Sequence, residues 1–299
     1  MRDVSAKIVT LRTATAEATL RLSPETILAI KENRTPKPDP LSVARVAGIQ
    51  GAKNTPLLIP YCHTIPLDHA GIEYEIGTDT IRIFASAKAI ARTGVEMEAL
   101  AGVSAAVLTL YDMLKPIDDF MSIENVTLTG KIGGKSDHIF SGSWTAGIIV
   151  SSDRAARGIR EDKSGQILTE LFEERGATAV VRVVVEDEVT SIQKALSELC
   201  EVNDLVVITG GTGVAPRDVT PEAVIPLLDK RLPGIEEQYR SYSQNRIPTA
   251  MLSRSVAGMI GKCLVLAIPG SPGAVTDAVI SLFPHVLHAL DIRTGASHE

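Results

Sequence analysis

The sequence has 299 residues, 44% of them apolar and 22% charged, which is enough chain for two domains with cores of their own. A net charge of -6 with no long basic run argues against nucleic acid as the main partner, and the three isolated cysteines, Cys62, Cys200 and Cys263, offer neither a disulfide framework nor a zinc site. The chain opens on no secretory pattern, and no window reaches the ~20 apolar residues of a membrane span, so a cytoplasmic protein without membrane association is expected.

Residues 1–22 alternate loosely between apolar and polar and read as an edge strand. Pro24–Lys31 reads as a short helix, with Ser23 as N-cap and Pro24 at the first helical position. The stretch NRTPKPDP holds three prolines, so it admits neither helix nor central strand and carries Lys37 and Asp39 on a stiff, exposed loop. Residues 41–53 form a helix with Val43, Val46, Ala47 and Gln50 on one side. His63 follows Cys62 and is bracketed by Pro60 and Pro66, which fixes it either as a satisfied core residue or as a general acid/base or phosphate ligand. Residues 71–76 and 80–88 alternate cleanly around Gly-Thr-Asp and make an antiparallel hairpin.

The segment Thr93–Lys115 is one long helix. Leu100, Val103, Val107, Leu110, Tyr111 and Leu114 recur at three/four spacing and form a stripe for the core. A second stripe, Glu98, Gly102, Ala105, Thr109 and Asp112, is small in the middle with a carboxylate at each end, and small side chains let another backbone come close. Glu96, Glu98, Asp112 and Lys115 therefore form either a polar site or a solvated face. Glu98 and Asp112 stand on the order of 20 Å apart along the axis, too far for one small pocket. If both are catalytic, an antiparallel pairing of two copies of this helix would bring the two ends together in two equivalent composite sites. A strand over 126–129 then leads into Lys131-Ile-Gly-Gly-Lys-Ser136, a turn between lysines that suits an anion or is simply tight.

The set RTPKPDPLSVARVAGIQGAKNTPLLIPYCHTIPL, TGVEMEALAGVSAAVLTLYDMLK and GKIGGKS resembles cyclic pyranopterin monophosphate synthase over residues 1–137. The resemblance implies a ferredoxin-like α+β fold and an oligomer built from dimers. It also implies the substrate 3′,8-cyclo-7,8-dihydroguanosine 5′-triphosphate, rearranged to a pyranopterin with a cyclic phosphate as pyrophosphate leaves. By motif, Lys37, His63, Glu96, Glu98, Asp112, Lys115 and Lys131 take the catalytic positions, and no cofactor is expected. Pro38 stands where the family has glycine, Thr64 where it has proline and Asp137 where it has glycine, and Pro38 excludes a positive φ at its own position.

Residues 138–145 have no periodicity and read as a linker. From Ala146 strands alternate with helices: a strand ending at Asp153-Arg154, a helix over 162–175, a strand over 177–187, a helix over 189–201 and a strand over 204–209. This pattern means a three-layer α/β domain with a mostly parallel sheet. Ligands bind such sheets at the strands' carboxyl ends. There lie Asp187 and the turn Gly210-Gly211-Thr212-Gly213, which either cradles phosphate with backbone N–H groups and a helix dipole or is only a tight turn. Asp218 precedes Thr220-Pro221 as the cap of the next helix. Asp187 and Asp218 suit Mg²⁺ beside phosphates, although either alone reads equally as a cap or surface charge. Leu232-Pro233 opens a helix with Glu236 and Glu237 in its first turn. A strand over 263–268 enters Pro269-Gly270-Ser271-Pro272-Gly273, and a last helix over 275–290 turns Val279, Leu282, Phe283, Val286 and Leu290 inward.

TGGTGVAPRDVTPEA, RLPGIEEQ, PTAMLSRSVAG and AIPGSPGAV resemble molybdopterin adenylyltransferase over residues 145–290. That resemblance implies a commonly trimeric fold transferring AMP from Mg-ATP to the terminal phosphate of molybdopterin. It sets Gly210, Gly211, Thr212, Gly213 and Ser271 near pterin or phosphate, makes Asp187 and Asp218 the catalytic, metal-holding carboxylates, and adds Glu237 as a further candidate. The whole reads as a bifunctional homo-oligomer of molybdenum cofactor synthesis, for which a hexamer fits. The alternative is a second half that only binds molybdopterin or holds the oligomer together.

Overall fold

Strand β1 (Thr10–Arg21) turns Ala14, Ala16, Ala18 and Leu20 to one face, all at most 1% exposed, and Thr13, Thr15, Glu17 and Thr19 to the other. It pairs antiparallel with β3 (Thr80–Ala91) on one side and β4 (Ser122–Ile132) on the other, so it is a central strand and not the edge strand its loose alternation suggests. Alanine is weakly apolar, and that weakens the period-2 signal of a strand whose inner face is nonetheless dry. With β2 (His69–Ile76) the order is β2-β3-β1-β4. The computed structural model describes residues 1–134, 140 and 142–293, and these divide into two units, Met1–Asp137 and His138–Glu299.

Between β1 and β2 come α1 (Pro24–Lys31), α2 (Pro40–Lys53) and the single turn α3 (Thr55–Leu58). Ser23 caps α1 through Thr26 N at 3.3 Å, as the sequence predicts. Helix α4 (Glu96–Leu114) buries Ala99, Val103, Ala106, Val107, Leu110 and Leu114 against the alanine-rich face of the sheet. Its length and composition alone would suffice to cross a membrane, contrary to the sequence count, but half of it is buried in this packing.

α2 faces inward with Ala44, Gly48, Gly51 and Ala52, whereas Val43 and Val46, which share one side of the helix, are 45% and 61% exposed. The reason is a backbone approach to α4. A Cβ on Gly51 would stand 2.6 Å from Ala105 Cβ and 2.9 Å from the Ala101 carbonyl oxygen, and one on Gly48 would stand 3.0 Å from the Gly102 carbonyl. The small stripe of α4 is therefore covered by α2 of the same chain. It cannot receive a second copy of the helix, so the antiparallel pairing inferred from the sequence is overturned for this face.

The second unit has strands β5 (Trp144–Ser151), β6 (Ala177–Val185), β7 (Leu205–Thr209), β8 (Lys230–Arg231), β9 (Val256–Ile260) and β10 (Cys263–Ile268) in the order β6-β5-β7-β10-β9-β8. The first four are parallel, and β9 pairs antiparallel with both β10 and β8. One face packs α6 (Lys163–Glu173) and α10 (Pro272–Leu282) through Leu168, Phe172, Val279 and Leu282, with Trp144, Phe172 and Phe283 in ring contact. The other face packs α7 (Val189–Val202) through Ile192, Leu196 and Leu199, and α8 (Thr220–Val224) through Ala223 and Val224. The predicted last helix stops at Leu282, because Pro284 cannot continue it. A 3-10 turn, His285–Leu287, and a short helix, His288–Ile292, follow. Val279, Leu282, Phe283, Val286 and Leu290 are buried all the same.

Because backbone and a Cβ rather than flexible chain ends confront Gly51, Gly51→Ala should lower stability by about 1–3 kcal/mol despite alanine's better helix propensity. Val46→Ala, at an exposed position, should change it by less than about 0.5 kcal/mol. Chemical denaturation of the full chain, reading the transition of the first unit, checks both.

Candidate active sites

Lys37 lies in the loop between α1 and α2. Asp39, at φ +50°, supplies the left-handed residue that Pro38 cannot, and its carboxylate accepts from Ser42 N at 3.3 Å to start α2. This sends Lys37 back to the C-terminal end of α4, where Nζ is 2.6 Å from Asp112 Oδ2 and 3.0 Å from the Asp112 carbonyl. Lys115 Nζ lies 2.8 Å from Oδ1. Asp112 is thus held between two ammonium groups although its side chain is 55% exposed, and the hydrogen bonds from Lys115 and then Lys37 bring its carboxyl down to about 2. The same contact raises Lys115.

The other end of α4 differs. Glu98 is 2% exposed, Cys62 Sγ donates to its Oε1 at 3.6 Å, and Oε2 has no partner among the described residues. Burial pushes the Glu98 carboxyl up, and burial together with Glu98 pushes the Cys62 thiol up. Lys131 Nζ, near the end of β4, is 3.6 Å from Glu96 Oε1. Gly133 and Gly134 follow at φ +112° and +102°, whereas Lys135 and Ser136 of the predicted anion turn lie outside the described residues. His63 Nε2 is 2.8 Å from the Arg2 carbonyl oxygen. The seven predicted residues therefore fall into two groups on the order of 20 Å apart. Lys37, Asp112 and Lys115 form one group, and Glu96, Glu98 and Lys131 the other, with His63 next to Cys62.

In the second unit the carboxyl ends of β5, β6, β7 and β10 surround a cavity of about 300 Å³. Asp187, just past β6, accepts from Ser151 Oγ at 2.7 Å and from Asp153 N at 3.2 Å, and returns its own N–H to Asp153 Oδ1 at 3.1 Å. Asp218 accepts from Ala215 N at 2.9 Å and faces the same cavity. Gly210 and Gly211 line it at φ +109° and +62°. A Cβ on Gly210 would sit 2.2 Å from the Ser151 carbonyl and one on Gly211 2.4 Å from Thr220 Oγ1, so glycine is required by both backbone and space. Ser271 lines the cavity and caps α10 through Ala274 N at 3.3 Å.

One sequence reading changes here. Val219 rather than Thr220 is the N-cap of α8, and Thr220 Oγ1 instead donates to the Gly210 carbonyl at 2.8 Å. A loop intervenes in the chain, yet α8 starts against the glycine turn, with Thr220 N donating to the Gly211 carbonyl at 3.0 Å. Thr212 and Gly213 are fixed from behind by Arg254, whose N–H meets the Thr212 carbonyl at 2.8 Å and whose Nε meets the Gly213 carbonyl at 2.7 Å.

The MoaC family model matches residues 1–134, and the model described as "Probable molybdopterin binding domain" matches residues 147–288. The whole chain aligns with the molybdenum cofactor biosynthesis bifunctional protein of Chlorobaculum tepidum at 41% identity, covering 100% of this chain and 96% of that protein. The namesake from Synechococcus elongatus is 39% identical, with 100% and 98% covered. The chain belongs to the bifunctional molybdenum cofactor biosynthesis proteins. Its first half is also 49% identical over 135 residues to the cyclic pyranopterin monophosphate synthase of Aquifex aeolicus, covering 45% of this chain and 53% of that protein.

In this bifunctional protein the structure adds residues that sequence reasoning passed over. Arg154, Arg160, Lys163 and Arg217 rim the Asp187 cavity, and Asp153 fixes Asp187. Asp153-Arg154 at a strand end was the available signal, and the strand-end rule applied to it would have found the pair. Glu236, buried at 5%, is consumed by Arg231, Arg240 and Ala257 N, while its neighbour Glu237 is exposed. Among the described residues no three His, Cys, Asp or Glu side chains converge on a metal position.

The two ends of α4 should titrate in opposite directions. Carboxyl ¹³C NMR should show Asp112 still ionised until the pH falls to about 2, whereas Glu98 takes its proton above the ordinary glutamate range. A raised carboxyl pKa means the folded state binds the proton more tightly, so Glu98 destabilises as pH rises through that range. Glu98→Gln should therefore be more stable than the wild type at pH 7, with the difference shrinking as the pH is lowered. Equilibrium denaturation at the two pH values reads it.

Proposed function

We propose that the first unit converts 3′,8-cyclo-7,8-dihydroguanosine 5′-triphosphate to cyclic pyranopterin monophosphate with release of pyrophosphate, and that the second transfers AMP from Mg-ATP to the terminal phosphate of molybdopterin. The observation that carries this reading is the gathering of family-matched charges around Asp112 in one unit and around the Asp187 cavity in the other. The domain functions follow the sequence limits, 1–137 and 146–299 with 138–145 between them. The β-α-β-β-α-β order with β2-β3-β1-β4 pairing supports a ferredoxin-like first unit, and three free cysteines support the cytosol.

In the first unit Asp112 stays ionised and can accept a proton, while Lys37 and Lys115 can return one. Glu98, whose carboxyl burial pushes up, stands as an acid beside the Cys62 thiol. Lys131 and Lys37 offset the negative charge that develops on the leaving pyrophosphate. One substrate cannot touch both ends of a single α4, so the site is shared: the Asp112 end of one copy meets the Glu98 end of another, through a face other than the one α2 covers. Exposed Leu57, Leu58, Leu108 and Phe120, at 84%, 61%, 59% and 90%, support association of copies.

In the second unit Asp187 and Asp218 fit Mg²⁺, because each keeps acceptor positions beyond its described hydrogen bonds and magnesium takes one or two carboxylates plus substrate oxygens. The ion would polarise the phosphates. Ser151 and Asp153 hold the Asp187 carboxylate in place, and Arg154, Arg160, Lys163 and Arg217 supply positive charge at the rim.

Two assays on the intact chain test the reading: pyrophosphate released from the cyclic triphosphate, and pyrophosphate released from ATP that depends on molybdopterin and Mg²⁺. Asp112→Ala and Lys131→Ala should each lower the first by about 100-fold or more and leave the second unchanged, whereas Asp187→Asn should do the reverse. No release from ATP by the wild type would reduce the second unit to a carrier.

A further inference from the structure

The loop that carries Asp218 is held from outside the Asp187 cavity by one side chain. Arg254, just before β9, gives a different nitrogen to each of three acceptors. Nε donates to the Gly213 carbonyl at 2.7 Å, Nη2 to the Asp218 carbonyl and Nη1 to the Glu222 carboxylate on α8. Its backbone N–H adds the Thr212 carbonyl at 2.8 Å. The guanidinium therefore closes both ends of the segment 213–218, while residues 214–217 between them are exposed. Gly213 in turn lies against the carboxylate: a Cβ there would stand 2.6 Å from Asp218 Oδ2, the oxygen that accepts from Ala215 N. Arg254 is itself anchored on the sheet. Val256 pairs with Ala267 of β10, and the Ser255 carbonyl accepts from Arg240 Nη1 of α9 (Pro233–Gln244) at 3.2 Å. Arg254 does not line the cavity.

A planar fork with fixed N–H directions aligns several acceptors at once, which an ammonium on a flexible stem does not. We propose that Arg254 is the positioning residue of Asp218: by holding the Gly213 and Asp218 carbonyls together it sets the direction in which the Asp218 carboxylate faces the cavity. Asp187 has a separate support, from Ser151 Oγ at 2.7 Å and Asp153 N at 3.2 Å. The two carboxylates thus reach one cavity from different parts of the sheet, each fixed by its own partners. A divalent cation shared by them needs both directions fixed, because magnesium tolerates little departure from octahedral geometry. The role rests on the Mg²⁺ reading of Asp187 and Asp218 and adds to it a residue that touches neither the ion nor the substrate. The ion pair with Glu222 is the lesser part of the clamp, since that carboxylate is 53% exposed and surface pairs contribute little. The two carbonyl contacts are the part that matters.

The test reads the ion and the loop in the full chain, apart from turnover. Mn²⁺ is titrated without nucleotide and the free ion followed by electron paramagnetic resonance, while amide hydrogen exchange follows residues 213–219. Arg254→Ala should weaken Mn²⁺ binding about tenfold or more and speed exchange across the loop. Methylguanidinium added to that variant should restore part of the affinity. Arg254→Lys, which keeps the charge and loses the fork, should weaken binding about as much as alanine and serves as the test if Arg254→Ala does not fold. Glu222→Gln leaves both carbonyl contacts and should change the affinity by less than about twofold. Melting curves verify folding. Wild-type Mn²⁺ affinity in folded Arg254→Ala or Arg254→Lys would overturn the assignment, as would a wild type that binds no Mn²⁺. Mn²⁺ binding that depends on Arg254 in a chain releasing no pyrophosphate from ATP would leave the assignment standing and remove only the adenylyltransferase reading.

Discussion

The first unit depends on how closely two helix backbones can lie. Gly48 and Gly51 of α2 rest on Gly102, Ala105 and the Ala101 carbonyl of α4, at distances a single methyl group would violate. On its other side α4 lies on alanines of β1 and β3, so the helix is fixed from two directions by side chains too short to give way. Charge is thereby excluded from the helix middle and confined to its ends. There the loop carrying Lys37 and the end of β4 carrying Lys131 reach it from separate parts of the chain.

The two ends are chemically unlike. At one, an exposed carboxylate is held ionised by two lysines, and at the other burial pushes a carboxyl up from its ordinary range. Carboxyl groups shifted in opposite directions are what separates an acid from a base. The second unit reaches a comparable end by a different route: parallel strands stop at one edge of the sheet, and the residues just past them, Asp187, Gly210 and Ser271, face one cavity because β6, β5, β7 and β10 run side by side.

Much of this could be read from the sequence. The three/four spacing of α4, the hairpin around Gly77-Thr78-Asp79 and the alternation of the second half all come from side chains apolar enough to show a period. What stayed hidden is built from residues without that signal. The inner faces of β1 and α2 are largely alanine and glycine, so β1 looked like an edge and the buried side of α2 carried no apolar period. The site residues were legible by type and motif. Their division into two groups was partly visible in the axial distance between Glu98 and Asp112, but what covers the small stripe was not, because only tertiary packing decides it.

If catalysis in the first unit joins opposite ends of α4 from different copies, two inactive chains must repair one another. Full-length Asp112→Ala and Lys131→Ala chains carrying different affinity tags can be mixed and the doubly tagged oligomers isolated for the cyclic-triphosphate assay. Each mixed pair then holds one site with both substitutions and one with neither, so pyrophosphate release should return to a substantial fraction of the wild-type rate. Doubly tagged oligomers as inactive as either parent would contradict the shared site.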